Sequence, residues 1–289
     1  MPAPPVPAPA PFLQRSRPIG VFDSGVGGLT VLHELLVSLP GEDFLYLGDS
    51  ARLPYGNRPP HELRAFSVQI AEELLGRGAK LLVVACNSAT ATALEHLQRH
   101  VATTGREIDV IGVVGPESNL AVTATRSGRI GLLATPATVA SGAYERAVKG
   151  ADPLTRLTSV ACPDLAEIIE QDAPVTQRVV ETVRGYCGPL IEAQVDTVIL
   201  GCTHYPLVRP MLQRILGPDV RLITSGAAMV RRVEHALGVR ALANPRPGEG
   251  DYAFLCTGDA GRFRAAGTRF LQLPIGEVGH VDLDEQVAA

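Results

Sequence analysis

The sequence predicts an α/β protein of two similar domains, each a mostly parallel sheet flanked by helices, with a ligand site in the cleft between them. Three observations lead there. Strand-like apolar runs alternate with helix-like segments along the chain, the pattern of βα units and parallel strands. The alternation falls into two sets of similar order, one opening with "IGVFDS" and the other with "IGLLAT". Each set contains one strand that ends on a cysteine followed by polar residues, "LLVVACNSATATAL" and "DTVILGCTHYPLV".

In order, "PIGVFDS" reads as a first strand and "LTVLHELLVSL" as a helix whose Leu29, Leu32, Leu36 and Leu39 share a face. "DFLYLGD" is a second strand. "HELRAFSVQIAEELLGRG" is a second helix, with Leu63, Phe66, Ile70 and Leu74 on its apolar face. The unbroken run Leu81 to Val84 reads as a strand buried on both faces, followed by a helix from about Ser88. "DVIGVVG" closes the first set, and the break falls near "GVVGPES". The second set contains "GRIGLLAT", a helix through Tyr144 and Val148, "LTSVAC", the helix "PDLAEIIEQ", a long helix near residues 174–193, "DTVILGC", a further helix and "VRLITS". From about Ser225 a helix and the strand "DYAFLC" are expected to return to the first unit. The predicted division is residues 1–17 as a flexible Pro/Ala-rich extension, 18–113 plus 225–289 as a first domain carrying Cys86, and 114–224 as a second carrying Cys202.

Bulk properties narrow the function. The chain has 289 residues, 46% of them hydrophobic, which suits two cored domains. A formal net charge of −4 gives no general attraction to nucleic acid or an anionic membrane, so neither partner is expected. No apolar run approaches a membrane span. "MPAPPVPAPAPFLQRSR" lacks the charged start and apolar core of a signal peptide. Cys86, Cys162, Cys187, Cys202 and Cys256 are odd in number, far apart and without a CxxC pair. They predict no disulfide framework or structural zinc, and a reducing cytoplasm. Lys80 and Lys149 are the only lysines; Lys80 stands just before a buried strand and Lys149 at a helix end, so neither sits in a strand-end site.

Two cysteines facing each other across a cleft approach a bound ligand from opposite sides. A reaction that removes a proton from one face of a stereocentre and returns one to the other needs this arrangement. A thiolate serves as base and a thiol as acid when their pKa values are tuned. Cys86 stands just before a predicted helix, whose positive end favours the thiolate. Asp23 and Ser24 end the first strand, Asn87 and Ser88 follow Cys86, and Thr203 and His204 follow Cys202. Hydroxyls, an amide and free N–H groups at such positions bind carboxylates. His204 is placed to polarise Cys202, and Asp23 to do the same for Cys86.

Blander readings apply elsewhere. Cys187 and Cys256 read as inert core, and Cys162 as core or cleft edge. "GVGG" fails the GxGxxG pattern at Thr30, no GK[ST] exists, and a turn that lets a small ligand approach the backbone is the expectation. A metal pair at Cys202 and His204 lacks partners at ligand spacing, so no metal is expected. His33, His61, His96, His100 and His235 fall in charged helical surroundings and read as solvated.

"IGVFDSGVGGLTVL", "YLGDSARLPYG", "VVACNSATATAL" and "ILGCTHYPLV" together closely resemble the glutamate racemases of the cofactor-independent aspartate/glutamate racemase superfamily, from about Pro18 to about Phe270. The resemblance implies interconversion of L- and D-glutamate without a cofactor, supplying D-glutamate for peptidoglycan. It implies Cys86 and Cys202 as the acid/base pair, with Cys86 serving D-glutamate and Cys202 L-glutamate. It implies Asp23, Ser24, Tyr55, Gly56, Asn87, Ser88, Thr203 and His204 as the substrate-binding set, with Glu170 near the site. Ser88 and Ser50 stand where threonine is frequent, Glu167 where an apolar residue or proline is common, and Thr224 where an aspartate is frequent. The scarcity of lysine disfavours a pyridoxal phosphate mechanism. A homodimer is the expected assembly. The alternatives are an aspartate racemase, against which "CTHYP" argues, and a homologue with an added regulatory role such as gyrase inhibition.

Overall fold

The structure, a computed structural model, describes residues 14–171 and 176–283. Most of the Pro/Ala-rich extension, and the start expected for the long helix near residue 174, lie outside these. The strands are β1 (Ile19–Asp23), β2 (Phe44–Gly48), β3 (Leu81–Val84), β4 (Val110–Gly112), β5 (Arg129–Ala134), β6 (Arg156–Ala161), β7 (Thr197–Gly201), β8 (Arg221–Ile223), β9 (Tyr252–Cys256) and β10 (Val278–His280). They form one sheet in the order β10-β9-β2-β1-β3-β4 and a second in the order β6-β5-β7-β8. Every pairing is parallel. The expected architecture of two helix-flanked parallel sheets is borne out.

The helices are α1 (Leu29–Ser38), α2 (Pro60–Gly76), α3 (Asn87–Thr103), α4 (Val114–Ala124), α5 (Pro136–Ala140), α6 (Ala143–Ala151), α7 (Leu165–Glu170), α8 (Gln177–Glu192), α9 (Arg209–Leu216), α10 (Ser225–Val239) and α11 (Ala260–Leu271). Short 3-10 turns cover Tyr55–Asn57 and Tyr205–Val208. β1, β2, β3 and β7 are buried along their whole length, which is why their sequences run apolar without alternation.

Strand order explains where the site lies. In the first sheet β2 and β3 flank β1 on opposite sides, and in the second β6 and β7 flank β5 on opposite sides. The connections therefore diverge beyond the carboxyl ends of β1/β3 and of β5/β7, leaving a crevice at each. Register puts Phe22 opposite Val84 and Ala134 opposite Gly201. The residues at or just past those ends, Asp23 and Cys86 in one sheet and Thr135 and Cys202 in the other, are thereby gathered at the two crevices.

Three details depart from the sequence reading. The buried stripe of α1 is Leu29, Val31, Leu32 and Leu35, while Leu36 and Leu39 are only half-buried. Both leucine sets satisfy a helical period, and packing against α10 and α11 selects between them. The helices α4 and α11 and the strand β10 were not foreseen. Gly or Pro interrupts each segment, and β10 gains its place only by pairing with β9. Because α11 covers α1, His33 is not solvated: it is half-buried, with Nδ1 2.8 Å from the carbonyl of Leu271.

Candidate active site

Cys86 is the N-cap of α3, held in extended backbone at the end of β3, and its sulfur accepts the N–H of Ala89 at 3.4 Å. Cys202 follows β7 directly, before the turn that starts at Tyr205. The two cysteines line one cavity of about 420 Å³. Ser24, Tyr55, Gly56, Asn87 and Ser88 from the first unit line it, and Thr203 and His204 from the second. Of the residues singled out from sequence, Asp23 alone does not reach the cavity surface.

Asp23 instead stands fully buried behind it. Its carboxylate accepts the N–H of Gly25 at 3.0 Å and the hydroxyl of Thr203 at 3.3 Å, and so joins the two units. Burial pushes its pKa up, and the nearby His204 and the hydrogen bonds oppose this. The glycines that follow have a different purpose from the one expected. They do not line the cavity. A Cβ on Gly27 would lie 2.3 Å from Thr203 Oγ1, and one on Gly28 would lie 2.5 Å from Asp23 Cβ. The loop is glycine-rich so that it can lie against Thr203 and Asp23, and its ligand is the protein itself.

The thiols are also different from the sequence expectation. Burial, with the charge of Asp23 next, pushes the Cys86 thiol up to about 12. The N–H groups of Ala89 and Ser24 pull the other way and lose. Burial likewise raises Cys202 well above an ordinary thiol, opposed by the N–H of His204. Desolvation outweighs the helix start, and burial favours the neutral thiol at both cysteines. Cys162, Cys187 and Cys256 are free and buried away from the cavity.

His204 is nearly enclosed. Its Nδ1 is 4.0 Å from the Cys202 sulfur and its Nε2 is 3.1 Å from Glu170 Oε2. The ring meets Phe270 of α11 edge-on, with centroids 5.0 Å apart. Arg269 of the same helix donates to the carbonyl of Ile169 at 2.7 Å, fixing the end of α7. The unforeseen helix thus supports the His204 side of the site. Glu167 and Glu170 both line the cavity.

Sequence reasoning missed Thr135. It lines the cavity, and its hydroxyl lies 2.9 Å from that of Ser88 and 3.0 Å from that of Thr138. A Cβ on Gly56 would come within 2.9 Å of Thr135 Cβ, so the glycine lets the Tyr55–Asn57 turn rest on the second unit. The signal was present: Thr135 ends "IGLLAT" as Asp23 and Ser24 end "IGVFDS". Tyr55 lines the cavity and gives its hydroxyl to Asp49.

Comparison with known proteins agrees with this geometry. The model of the Asp/Glu/Hydantoin racemase family matches residues 31–233. The chain belongs to that family. Along 95% of its length it is 40% identical to a glutamate racemase of Bacillus cereus, covering 100% of that protein. Among solved structures, a glutamate racemase isoform of Bacillus anthracis superposes with a TM-score of 0.87 at 37% identity, over 93% of this chain and 98% of the other. A glutamate racemase of Francisella tularensis, solved in complex with D-glutamate, gives 0.86 at 32% identity over 93% and 99%. The family resemblance read from the four sequence motifs is borne out, and with it the isomerase class of this racemase-family chain.

Proposed function

We propose that this chain is a glutamate racemase that interconverts L- and D-glutamate by two-cysteine acid/base catalysis. The observation that carries the reading is the pair of cysteines on one cavity, each delivered by the carboxyl end of a central strand of a different sheet. One thiolate takes the α-proton from one face, and the opposite thiol returns a proton to the other. Ser24, Tyr55, Gly56, Asn87, Ser88, Thr203 and His204 bind the substrate, and Asp23 acts from behind by orienting Thr203. The near-whole-length match to glutamate racemases favours glutamate over aspartate.

Burial favours the neutral form of both thiols, and this sets the order of events. A base must form on substrate binding, and charge already in the substrate assists this: its ammonium group favours a nearby thiolate. The carbanion that follows needs preorganised hydrogen bonds in a closed site, because no electron sink is proposed. Lys80 is no candidate for a Schiff base. It lies just before β3, at the end opposite Cys86, with Nζ 2.6 Å from Glu42 Oε2.

The product suits peptidoglycan assembly in the cytoplasm, and a homodimer remains the proposed assembly. The domain division at 113/114 and 224/225 is likewise our proposal, supported by the return of β9 and β10 to the first sheet.

The test follows optical rotation with time after adding L- or D-glutamate to purified protein in chelator-treated, pyridoxal-free buffer. Decay of both enantiomers to zero rotation is expected. Activity that vanishes on exhaustive dialysis and returns only with a metal or pyridoxal phosphate would overturn the mechanism. A specificity constant for aspartate equal to that for glutamate would reassign the substrate.

A further inference from the structure

Asn87 stands next to Cys86 on the first turn of α3, buried, and lines the cavity. Its Nδ2 donates to Tyr144 Oη at 2.8 Å and to Glu117 Oε2 at 3.1 Å. An amide nitrogen has two protons, so these bonds engage both. Its Oδ1 is buried and has no partner. Glu117, on α4, is itself fully buried. It accepts the hydroxyl of Tyr144 on one oxygen and that of Ser225 on the other. Three donors converge on one carboxylate, from α3, α6 and α10, where the chain passes from one sheet to the other.

This arrangement permits only one orientation of the amide. Turned over, Asn87 would set its oxygen against the Glu117 carboxylate and against Tyr144, whose proton is already given to Glu117. Acceptor would meet acceptor in a buried setting, where such a mismatch is costly. We infer that Glu117 is a positioning residue: braced by Tyr144 and Ser225, it turns the Asn87 amide so that Oδ1 is the atom offered to the substrate, as an acceptor for its ammonium group. The inference rests on the reading of the cavity as an amino-acid racemase site.

The acidity of Glu117 fits the assignment. Burial lifts its pKa to about 7, against the hydrogen bonds of Ser225, Tyr144 and Asn87. Tyr144, the titratable group facing it from α6, is raised well above 10 by burial and stays neutral. Asn87 from α3 and Ser225 from α10 are uncharged, and no salt bridge to Glu117 occurs among the described residues. Protonation as pH falls from 8 to 6 removes the carboxylate charge and adds an O–H donor, which changes the surroundings of the Asn87 amide.

The experiment compares wild type with Glu117→Leu and Glu117→Asp. Leu removes both acceptor oxygens, whereas Asp keeps the acceptor on a shorter arm. Glu117→Leu is expected to raise KM for both enantiomers about tenfold or more, with kcat less affected, and Glu117→Asp to recover part of the loss. In wild-type protein the side-chain ¹⁵NH₂ signals of Asn87, assigned by their absence in Asn87→Asp, are expected to shift between pH 8 and 6. That measurement decides the matter if the variants do not fold. An unchanged KM in folded Glu117→Leu overturns the inference, as do Asn87 signals indifferent to pH. A wild-type protein that does not racemise glutamate sinks the racemase reading instead, and the Asn87 signals still report on the Glu117 contact.

Discussion

Nε2 of His204 lies 3.1 Å from Oε2 of Glu170, and the other ring nitrogen lies 4.0 Å from the Cys202 sulfur. In the neutral ring a carboxylate on Nε2–H leaves Nδ1 as the acceptor, directed at the thiol. Replacing His204 by Gln should lower kcat by about a hundredfold, the low end for a positioned acid/base group. Glu170→Gln should cost less, since the ring remains. Initial rates alone cannot assign the effect to one face, because an equilibrium constant of unity forces the two specificity constants to be equal. The deciding measurement is α-proton exchange in deuterated water, which should slow for L-glutamate and not for D-glutamate. Unaltered exchange of L-glutamate in His204→Gln would separate His204 from Cys202 chemistry.

How much of this was legible beforehand follows from the kind of physics each part uses. Buried parallel strands and the cysteines that end them write themselves into the chain as unbroken apolar runs with polar followers, so β3, β7, Cys86 and Cys202 could be read directly. Thr135 could have been read from the repeat. Glu117, Tyr144 and Ser225 could not, since three side chains from three helices meet only in the folded state. The acidity of Cys86 was misjudged for the same reason: a helix start is visible in sequence, while full burial, which outweighs it, is not. The role of the glycine loop also depends on a partner far along the chain, at Thr203 and His204.

Gly27 provides a test of that loop. A Cβ there would sit 2.3 Å from Thr203 Oγ1 and 2.5 Å from His204 Nδ1, so Gly27→Ala must displace both residues. Overpacking of this kind costs about 1–3 kcal/mol in stability. The loss of racemisation should be larger than the loss of stability, because the displaced groups line the cavity. Gly185→Ala on α8 is the control, with nothing within 4 Å of the added carbon. It should melt slightly higher, by virtue of better helix propensity, and retain activity. Full activity in a folded Gly27→Ala protein would contradict the proposed tight fit.

The raised thiol pKa values predict slow alkylation of the empty enzyme. With Cys86 near 12, its thiolate fraction rises about tenfold per pH unit throughout the neutral range. Reaction with iodoacetamide, followed at each cysteine by peptide mass spectrometry, should therefore accelerate from pH 7 to pH 10 without a plateau at Cys86 or Cys202. An inflection near pH 7 at either site would mean that the helix start, and not burial, governs the free thiol.

The final prediction separates the two faces of the reaction. A planar carbanion between Cys86 and Cys202 offers each sulfur one face only, and the family resemblance pairs Cys86 with D-glutamate and Cys202 with L-glutamate. Serine is close to cysteine in size but is a far weaker base at neutral pH, so each Cys→Ser change should nearly abolish racemisation and largely spare substrate binding. Exchange without inversion requires only one base. In deuterated water, a Cys202→Ser protein should therefore retain residual α-proton exchange mainly with D-glutamate, through Cys86. A Cys86→Ser protein should retain it mainly with L-glutamate, through Cys202. The solvent label must enter with retained configuration in both cases, since the opposite face has lost its acid. Should both variants exchange both enantiomers equally, the two sulfurs do not act on opposite faces, and a single mobile base must reach the α-carbon from either side.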